Sequence, residues 1–87
     1  MSNDEKLGFK VTLKPESRFA NVGAPSNRTG FIGLVYEIDD FGPENLWYRV
    51  IWETREINSY KEEDLLWYDY VDDWKDVVRS WGGIVVE

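Results

Sequence analysis

Hydrophobic and polar residues alternate over the first two thirds of the chain, in short runs that are typical of β-strands. In the first run, Phe9, Val11 and Leu13 alternate with polar residues, so one face of this strand is predicted to be buried. The later runs are richer in β-branched and aromatic residues, which favour strands. Five runs are predicted to form strands: residues 9–13, 30–38, 46–52, 57–60 and 65–68.

The segments between these runs are dense in turn-forming residues. Residues 39–45 (DDFGPEN) predict a hairpin turn, residues 53–56 a second turn and residues 61–64 a single helical turn. The longest connection, residues 14–29, is rich in Pro, Gly, Ser and Asn, and loops of this length in small domains are often functional. Gly33, inside the second run, predicts a bulge or a close approach of another backbone segment.

The pattern changes near the end of the chain, where apolar residues recur every three or four positions. These are Tyr70, Val71, Trp74, Val77, Val78 and Trp81. The spacing predicts an α-helix over residues 69–82 with one apolar stripe, ended by two glycines. We expect the stripe to pack on the outside of the strands, although a dimer or partner interface is the alternative. Residues 84–86 form a candidate edge strand.

The composition excludes several kinds of chemistry. The chain has 87 residues, without cysteine or histidine, so we expect a single domain over residues 1–87. Disulfides, thiolate nucleophiles, classical zinc sites and His-based catalysis are ruled out. No apolar run is long enough to span a bilayer and the chain begins without a signal peptide, which predicts a cytoplasmic protein without a membrane anchor.

Charge is distributed unevenly along the chain. The net charge is −7, but residues 1–34 carry +2 and residues 35–87 carry −9. An acidic body repels phosphate, which disfavours nonspecific binding to nucleic acid or to anionic membranes. The excess of carboxylates indicates either a solvated surface or an acidic face that meets a basic partner.

The carboxylate pairs give little support to catalysis. Asp39/Asp40, Glu62/Glu63 and Asp72/Asp73 are each adjacent in sequence within polar stretches, which is typical of solvated turns. A glycosidase would need two carboxyl groups facing each other across a cleft. Residues 39–45 hold several oxygen ligands without the spacing of a calcium loop. We therefore predict no catalytic residues, no metal, no cofactor and no enzymatic activity.

Aromatic residues are the more informative feature, with nine Trp and Tyr between residues 47 and 81. Tyr48, Val50 and Trp52 share one face of their strand, so Trp47 points to the opposite face. An exposed Trp beside carboxylates can bind a cation. The alternative is that these aromatic residues are core. The predicted partner-binding residues are Asp39, Asp40, Trp47, Tyr60, Glu62, Glu63 and Trp67.

Five short motifs follow one another through residues 8–68. They are Gly8-Phe9-Lys10-Val11, the run GFIGLVYEI at residues 30–38, Val50-Ile51-Trp52-Glu53, Asn58-Ser59-Tyr60-Lys61 and Asp64-Leu65. In order and spacing they resemble the SH3-like barrels, most closely the Mind-bomb/Herc type, and also Tudor-like and KOW-like barrels. The chain departs from that family in residues 53–56, which lack glycine, in a long loop with one aromatic residue, and in the C-terminal helix.

The resemblance implies a mainly β fold, an SH3-like barrel of about five antiparallel strands. The apolar spacing of residues 69–82 adds a C-terminal α-helix, which we expect to pack outside the barrel. The resemblance also implies a non-catalytic module that binds a protein segment. We therefore expect an adaptor or inhibitor, monomeric or weakly dimeric, that binds a basic or extended segment of another protein. One alternative is an acidic decoy that occupies the nucleic-acid site of a basic protein, as phage-type inhibitors do. Another is KOW-like nucleic-acid binding through the basic N-terminal third.

Overall fold

The computed structural model describes residues 4–23 and 27–85, which form an antiparallel sheet followed by a helix. The strands are β1 (Phe9–Leu13), β2 (Gly33–Asp40), β3 (Leu46–Trp52), β4 (Ile57–Tyr60) and β5 (Leu65–Tyr70), and the helix is α1 (Trp74–Ser80). Single 3-10 turns span Asp4–Lys6 and Glu62–Asp64. The strand order is β4-β3-β2-β1-β5, in an open sheet with β4 and β5 at its edges. The predicted mainly β fold with five antiparallel strands is confirmed.

Strands β1, β3 and β4 have the predicted bounds, whereas β2 and β5 differ. Strand β2 begins at Gly33 and continues through Asp40, because Asp39 and Asp40 pair with residues 47 and 46 of β3. The predicted turn at residues 39–45 is therefore shorter, and its two aspartates belong to a strand. Strand β5 continues to Tyr70, which pairs with Phe9 of β1.

The predicted helix over residues 69–82 is wrong at its start, because helix α1 covers only Trp74–Ser80. Tyr70, the first residue of the predicted stripe, belongs to β5 and is exposed. In the rest of the stripe, Trp74 and Val78 are buried. The candidate edge strand is not present at residues 84–85, which have no regular structure, and residue 86 lies outside the described residues.

Each face of the sheet carries a core cluster. The inner face carries the larger core cluster: Val11, Leu13, Val35, Tyr48, Val50, Trp52, Tyr60 and Leu65. On the outer face, Leu34, Tyr36 and Ile51 pack beneath Trp74 and Val78 of α1. Alternation along β3 sends successive side chains to opposite faces, which explains why this strand is apolar at adjacent positions. The prediction that the helix packs on the outside of the strands is confirmed.

Gly33 lies close to two core side chains of β3. A Cβ atom at this position would come within 2.5 Å of Val50 Cγ1 and 2.6 Å of Trp52 Cε3, so only glycine fits without displacing the core. The atoms that approach Gly33 belong to side chains, whereas the prediction was a close approach of backbone. The bulge in this strand pair lies further along, where the register shifts between Val35 and Glu37.

The long loop between β1 and β2 is fixed to the core by a buried amide. Asn27 Oδ1 accepts hydrogen bonds from the Tyr60 hydroxyl at 2.8 Å and from Asn58 Nδ2 at 3.2 Å. Its Nδ2 donates to the carbonyl of Val22 at 2.8 Å. Buried polar groups need such partners, so this network ties the loop to β4. Among the residues described, no helix has the length and apolar character needed to cross a membrane.

Candidate functional site

Tyr60 is a core residue, contrary to its predicted place at a partner-binding surface. Its side chain is 0% exposed, and its hydroxyl also accepts a hydrogen bond from Trp52 Nε1 at 3.3 Å. Pairing with Tyr48 across β3 and β4 places both rings on the inner face. Alternation along a four-residue strand thus decides the position of Tyr60, which cannot contact a partner in this fold.

Asp39 and Trp47 pair with each other across β2 and β3, and both groups already have partners within the chain. Asp39 Oδ2 accepts a hydrogen bond from Arg49 Nη2 at 3.0 Å. The indole of Trp47 donates to Asn45 Oδ1 at 2.9 Å, and Lys61 Nζ lies 5.4 Å from its ring centroid. The predicted cation-binding face of Trp47 is therefore occupied by a cation of the protein itself.

Trp67 is half-buried and forms part of the wall of the inner core. Its ring makes an edge contact with Tyr48, with centroids 5.1 Å apart, and Lys6 Nζ lies 4.8 Å from its centroid. Its Nε1 donates to the carbonyl of Glu62 at 3.1 Å. Trp67 thus supports the 3-10 turn at Glu62–Asp64, where two other predicted site residues lie.

A groove forms where the turn after β2 approaches the turn after β4; we call it the hairpin groove. It has a volume of about 180 Å³ and is lined by Glu44, Leu46, Tyr48, Lys61, Glu62 and Glu63. Its accessible apolar surface comes from Leu46, since Tyr48 lies at its base and is 2% exposed, and three carboxylates surround it. An adjoining depression shares Glu44 and Leu46 and includes Asp40. Glu62 and Glu63 thus line the hairpin groove, Asp40 lines only the adjoining depression, and Glu44 and Leu46 line both.

Electrostatics in the hairpin groove centre on Tyr48 and Glu62. Burial raises the pKa of Tyr48, and the Glu62 carboxylate, to which the hydroxyl can donate, raises that pKa further. Lys6 Nζ lies 3.9 Å from Glu62 Oε1. Tyr48 and Lys6 thus orient the Glu62 carboxylate beside an apolar surface. A cationic side chain of a ligand can donate hydrogen bonds to this carboxylate while its carbon stem covers the apolar surface.

A second groove continues from the first toward the long loop; we call it the loop groove. It has a volume of about 510 Å³ and is lined by Lys14, Glu16, Ser17, Arg18, Lys61, Glu63 and Asp64. Lys61 and Glu63 line both grooves, so the two adjoin. The sequence singled out the loop for its length, but carried no signal that residues 14–18 lie against residues 61–64.

Asp64 joins the two walls of the loop groove. Its side chain is buried, and its Oδ1 accepts a hydrogen bond from Ser17 Oγ at 3.0 Å. Its Oδ2 accepts from the amide of Lys61 at 3.3 Å, and its carbonyl accepts from the amide of Lys14 at 2.9 Å. The bonds from Ser17 and Lys14 hold the loop against the turn, and the bond from Lys61 closes the turn itself, so the groove is formed without a ligand.

No group of three or more Asp and Glu side chains in residues 4–23 and 27–85 is arranged to hold a metal ion. Comparisons with known proteins do not assign the chain to a family. No protein-family model matches it, and neither does any curated protein or solved structure. The two grooves and the charges that line them are therefore the basis on which a function can be argued.

Proposed function

We propose that the protein is a non-catalytic interaction module that binds a basic, extended segment of another protein in the hairpin groove, as an adaptor or an inhibitor. The observation that carries this proposal is the apolar surface of half-buried Leu46, surrounded by Glu44, Glu62 and Glu63. A lysine or arginine side chain has the matching composition, because its carbon stem is apolar and its end is cationic.

The SH3-like barrel is proposed as the finer description of the fold. Its support is the position of β1 between β2 and β5, together with the motifs of residues 8–68. The register shifts within the β1–β5 and β2–β3 pairs are also consistent with it, since bulges bend strands and are frequent in small barrels. Such a barrel presents the long loop and the two turns along one side.

The expected affinity is moderate. The Glu62 side chain is 61% exposed, so a single ion pair with it contributes less than about 1 kcal/mol. Each methylene of a lysine stem that is buried on Leu46 adds about 0.8 kcal/mol. Several contacts of this size correspond to dissociation constants between about 1 µM and 1 mM.

An acidic decoy for a nucleic-acid-binding protein is the second candidate, favoured by the net charge of −7. Against it, Glu37 and Asp39 are already paired with Arg49, at 3.2 and 3.0 Å. A decoy would compete with an oligonucleotide for its target and lose binding steeply as salt rises. A segment held partly by apolar contacts would lose less, and KOW-like binding would instead appear as direct retention of an oligonucleotide.

The test is selection of short random peptides displayed on phage, followed by titration of the selected peptides against purified variants. We expect enrichment of lysine or arginine and a several-fold loss of affinity in Glu62→Gln and Glu44→Gln. Asp76→Asn is the matched control, because Asp76 is also highly exposed but lies on α1, away from the groove. Equal losses in all three variants, or none, would contradict the hairpin groove as the binding site.

A further inference from the structure

We infer that the turn between β2 and β3 binds an arginine side chain of the partner, through the ring of Phe41 and the carboxylate of Glu44. This turn covers residues 41–45. The inference rests on the proposed function, which places one basic residue of the partner segment in the hairpin groove. The segment then carries a second basic residue, and the turn selects arginine over lysine at that position.

Phe41 is exposed on a turn whose backbone is fixed by hydrogen bonds. The residue is 67% exposed and belongs to neither core cluster. Its amide donates to the carbonyl of Asn45 at 3.0 Å, and the amide of Asn45 donates to the carbonyl of Gly42 at 3.0 Å. An aromatic ring presented on an ordered turn can contact a partner without the entropic cost of ordering that turn.

A depression of about 380 Å³ lies along the same turn; we call it the turn depression. Its lining residues are Asp40, Gly42, Pro43, Glu44 and Leu46. The charged residues among these, Asp40 and Glu44, are both acidic, whereas the loop groove is lined by charges of both signs. Pro43 and Leu46 supply apolar surface. The turn depression therefore favours a cationic side chain with an apolar stem.

The two carboxylates of the turn depression are not neutralised by cations of the described part of the chain. Within residues 4–23 and 27–85, neither Asp40 nor Glu44 forms an ion pair, whereas Asp39 is paired with Arg49. Asp40 Oδ1 accepts a hydrogen bond from the amide of Gly42 at 2.9 Å, so this carboxylate fixes the turn and adds negative potential. Glu44 is exposed, and its carboxylate is available to a ligand.

A ring and a carboxylate on one turn favour arginine over lysine. A guanidinium is planar, so it can stack on an aromatic face and form two parallel hydrogen bonds with a carboxylate. An ammonium is more strongly hydrated and acts as a point charge. Trp47 and Trp67, which the sequence predicted for partner binding, are already contacted by cations of the protein. Phe41 therefore takes their place as the aromatic contact for a cation of the partner.

The test uses peptides selected on phage against the full chain and resynthesised with their arginine changed to lysine or to citrulline. Citrulline has the shape of arginine without its charge. We expect the selected peptides to contain an arginine and a second basic residue. On the unaltered protein, the citrulline peptide should bind about fivefold more weakly, the effect of about 1 kcal/mol, and the lysine peptide should lie between the two.

Variants of Phe41 test whether its ring makes this contact. Phe41→Leu keeps an apolar side chain but removes the aromatic face, so it should weaken binding of the parent peptide about threefold to fivefold. Phe41→Trp should bind at least as well as the unaltered protein, since Trp gives the strongest cation–π attraction. Tyr68→Leu is the matched control, because Tyr68 is 48% exposed but lies on β5. Phe41 lies outside the core, so its variants remain folded, as thermal unfolding can verify.

The citrulline peptide should bind Phe41→Leu and the unaltered protein equally, because the contact that the variant removes is already absent. Equal affinity of the parent peptide for Phe41→Leu and the unaltered protein overturns the inference, as does a loss that the citrulline peptide shows in full. In either case the hairpin groove stands if Glu62→Gln still weakens binding. Binding that is indifferent to Glu62→Gln and Glu44→Gln overturns the proposed function, and the inference with it.

Discussion

The indole of Trp74 lies against Gly8, in the space that a side chain at residue 8 would occupy. Gly8 has φ of +84°, its amide donates to the carbonyl of Val35 at 2.8 Å, and its carbonyl accepts from Val71 at 3.0 Å. One residue thus connects the start of β1, strand β2 and the approach to α1. The helix and the sheet depend on each other at this point.

Trp74→Ala should destabilise the protein by about 3–5 kcal/mol, because a large buried ring would be replaced by a cavity. Chemical denaturation measures this loss. The exposed position of Ile84 provides the control, and Ile84→Ala should cost little. Near-normal stability of Trp74→Ala, with loss of self-association instead, would contradict the packing of α1 on the outer face.

Gly8→Ala should cost more stability than Gly30→Ala. Both glycines have nearly the same φ, +84° and +88°, but a Cβ at residue 30 would meet no atom within 4 Å. The shared left-handed conformation costs about 1–2 kcal/mol in each variant. The difference between their unfolding free energies therefore reports the overlap with Trp74, and equal values would exclude that overlap.

Tyr60→Phe should destabilise the protein by about 1–3 kcal/mol, because Trp52 Nε1 loses its buried acceptor and Asn27 Oδ1 loses one of its two donors. Tyr68→Phe is the matched control, since its exposed hydroxyl lies 3.4 Å from Thr12 Oγ1 and can be replaced by water. Urea unfolding of both variants gives the comparison. Similar losses in the two variants would mean that the network does not anchor the long loop.

The ionisation of Tyr48 should reduce stability at alkaline pH. Burial and Glu62 raise the pKa of Tyr48 above its ordinary value of 10.0, so the folded state holds this proton more tightly than the unfolded state. The resulting stability is present below about pH 10 and is lost as pH rises through the pKa of the folded state. Glu62→Gln should lower that pKa, which absorbance titration of the phenolate can measure.

Asp40→Asn should slow association of a basic peptide at low salt, and the difference should disappear at high salt. Asparagine can still accept the hydrogen bond that Asp40 Oδ1 receives from Gly42 at 2.9 Å, so the turn is preserved. Asp39→Asn is the control, because Asp39 is paired with Arg49 rather than directed to the groove. Stopped-flow measurement that shows the same slowing in both variants would count against the acidic hairpin groove.

Local patterning was sufficient to predict three strands with their bounds, because β1 alternates and both β3 and β4 are flanked by turn residues. It failed at residue 70, where a tyrosine fits both the end of a strand and the first position of the helical stripe. Pairing with Phe9, a contact between the two ends of the domain, decided in favour of the strand. Tertiary contacts of this kind have no local signal.

The same distinction between local patterns and tertiary contacts explains which parts of the candidate site have a signal in the sequence. Asp40 ends β2, and Glu62 and Glu63 form the turn after β4, so the turn-forming residues around them gave a local signal for where these carboxylates lie. Tyr60 was assigned to the surface although the alternation of β4 turns it inward. The loop groove depends on a hydrogen bond between Ser17 and Asp64, which are 47 residues apart, and no local sequence pattern predicts such a contact.

The place of β1 between β2 and β5 has a consequence for biosynthesis. The hydroxyls of Thr12 and Tyr68 lie 3.4 Å apart although the residues are 56 positions apart in sequence. Strand β1 can therefore pair with β5 only after the strands between them have been synthesised. Until β5 is made, one edge of β1 stays open and Leu65 is missing from the inner core. The sheet can therefore be completed only after β5 has been synthesised. Until then, the unpaired edge of β1 can pair with other chains.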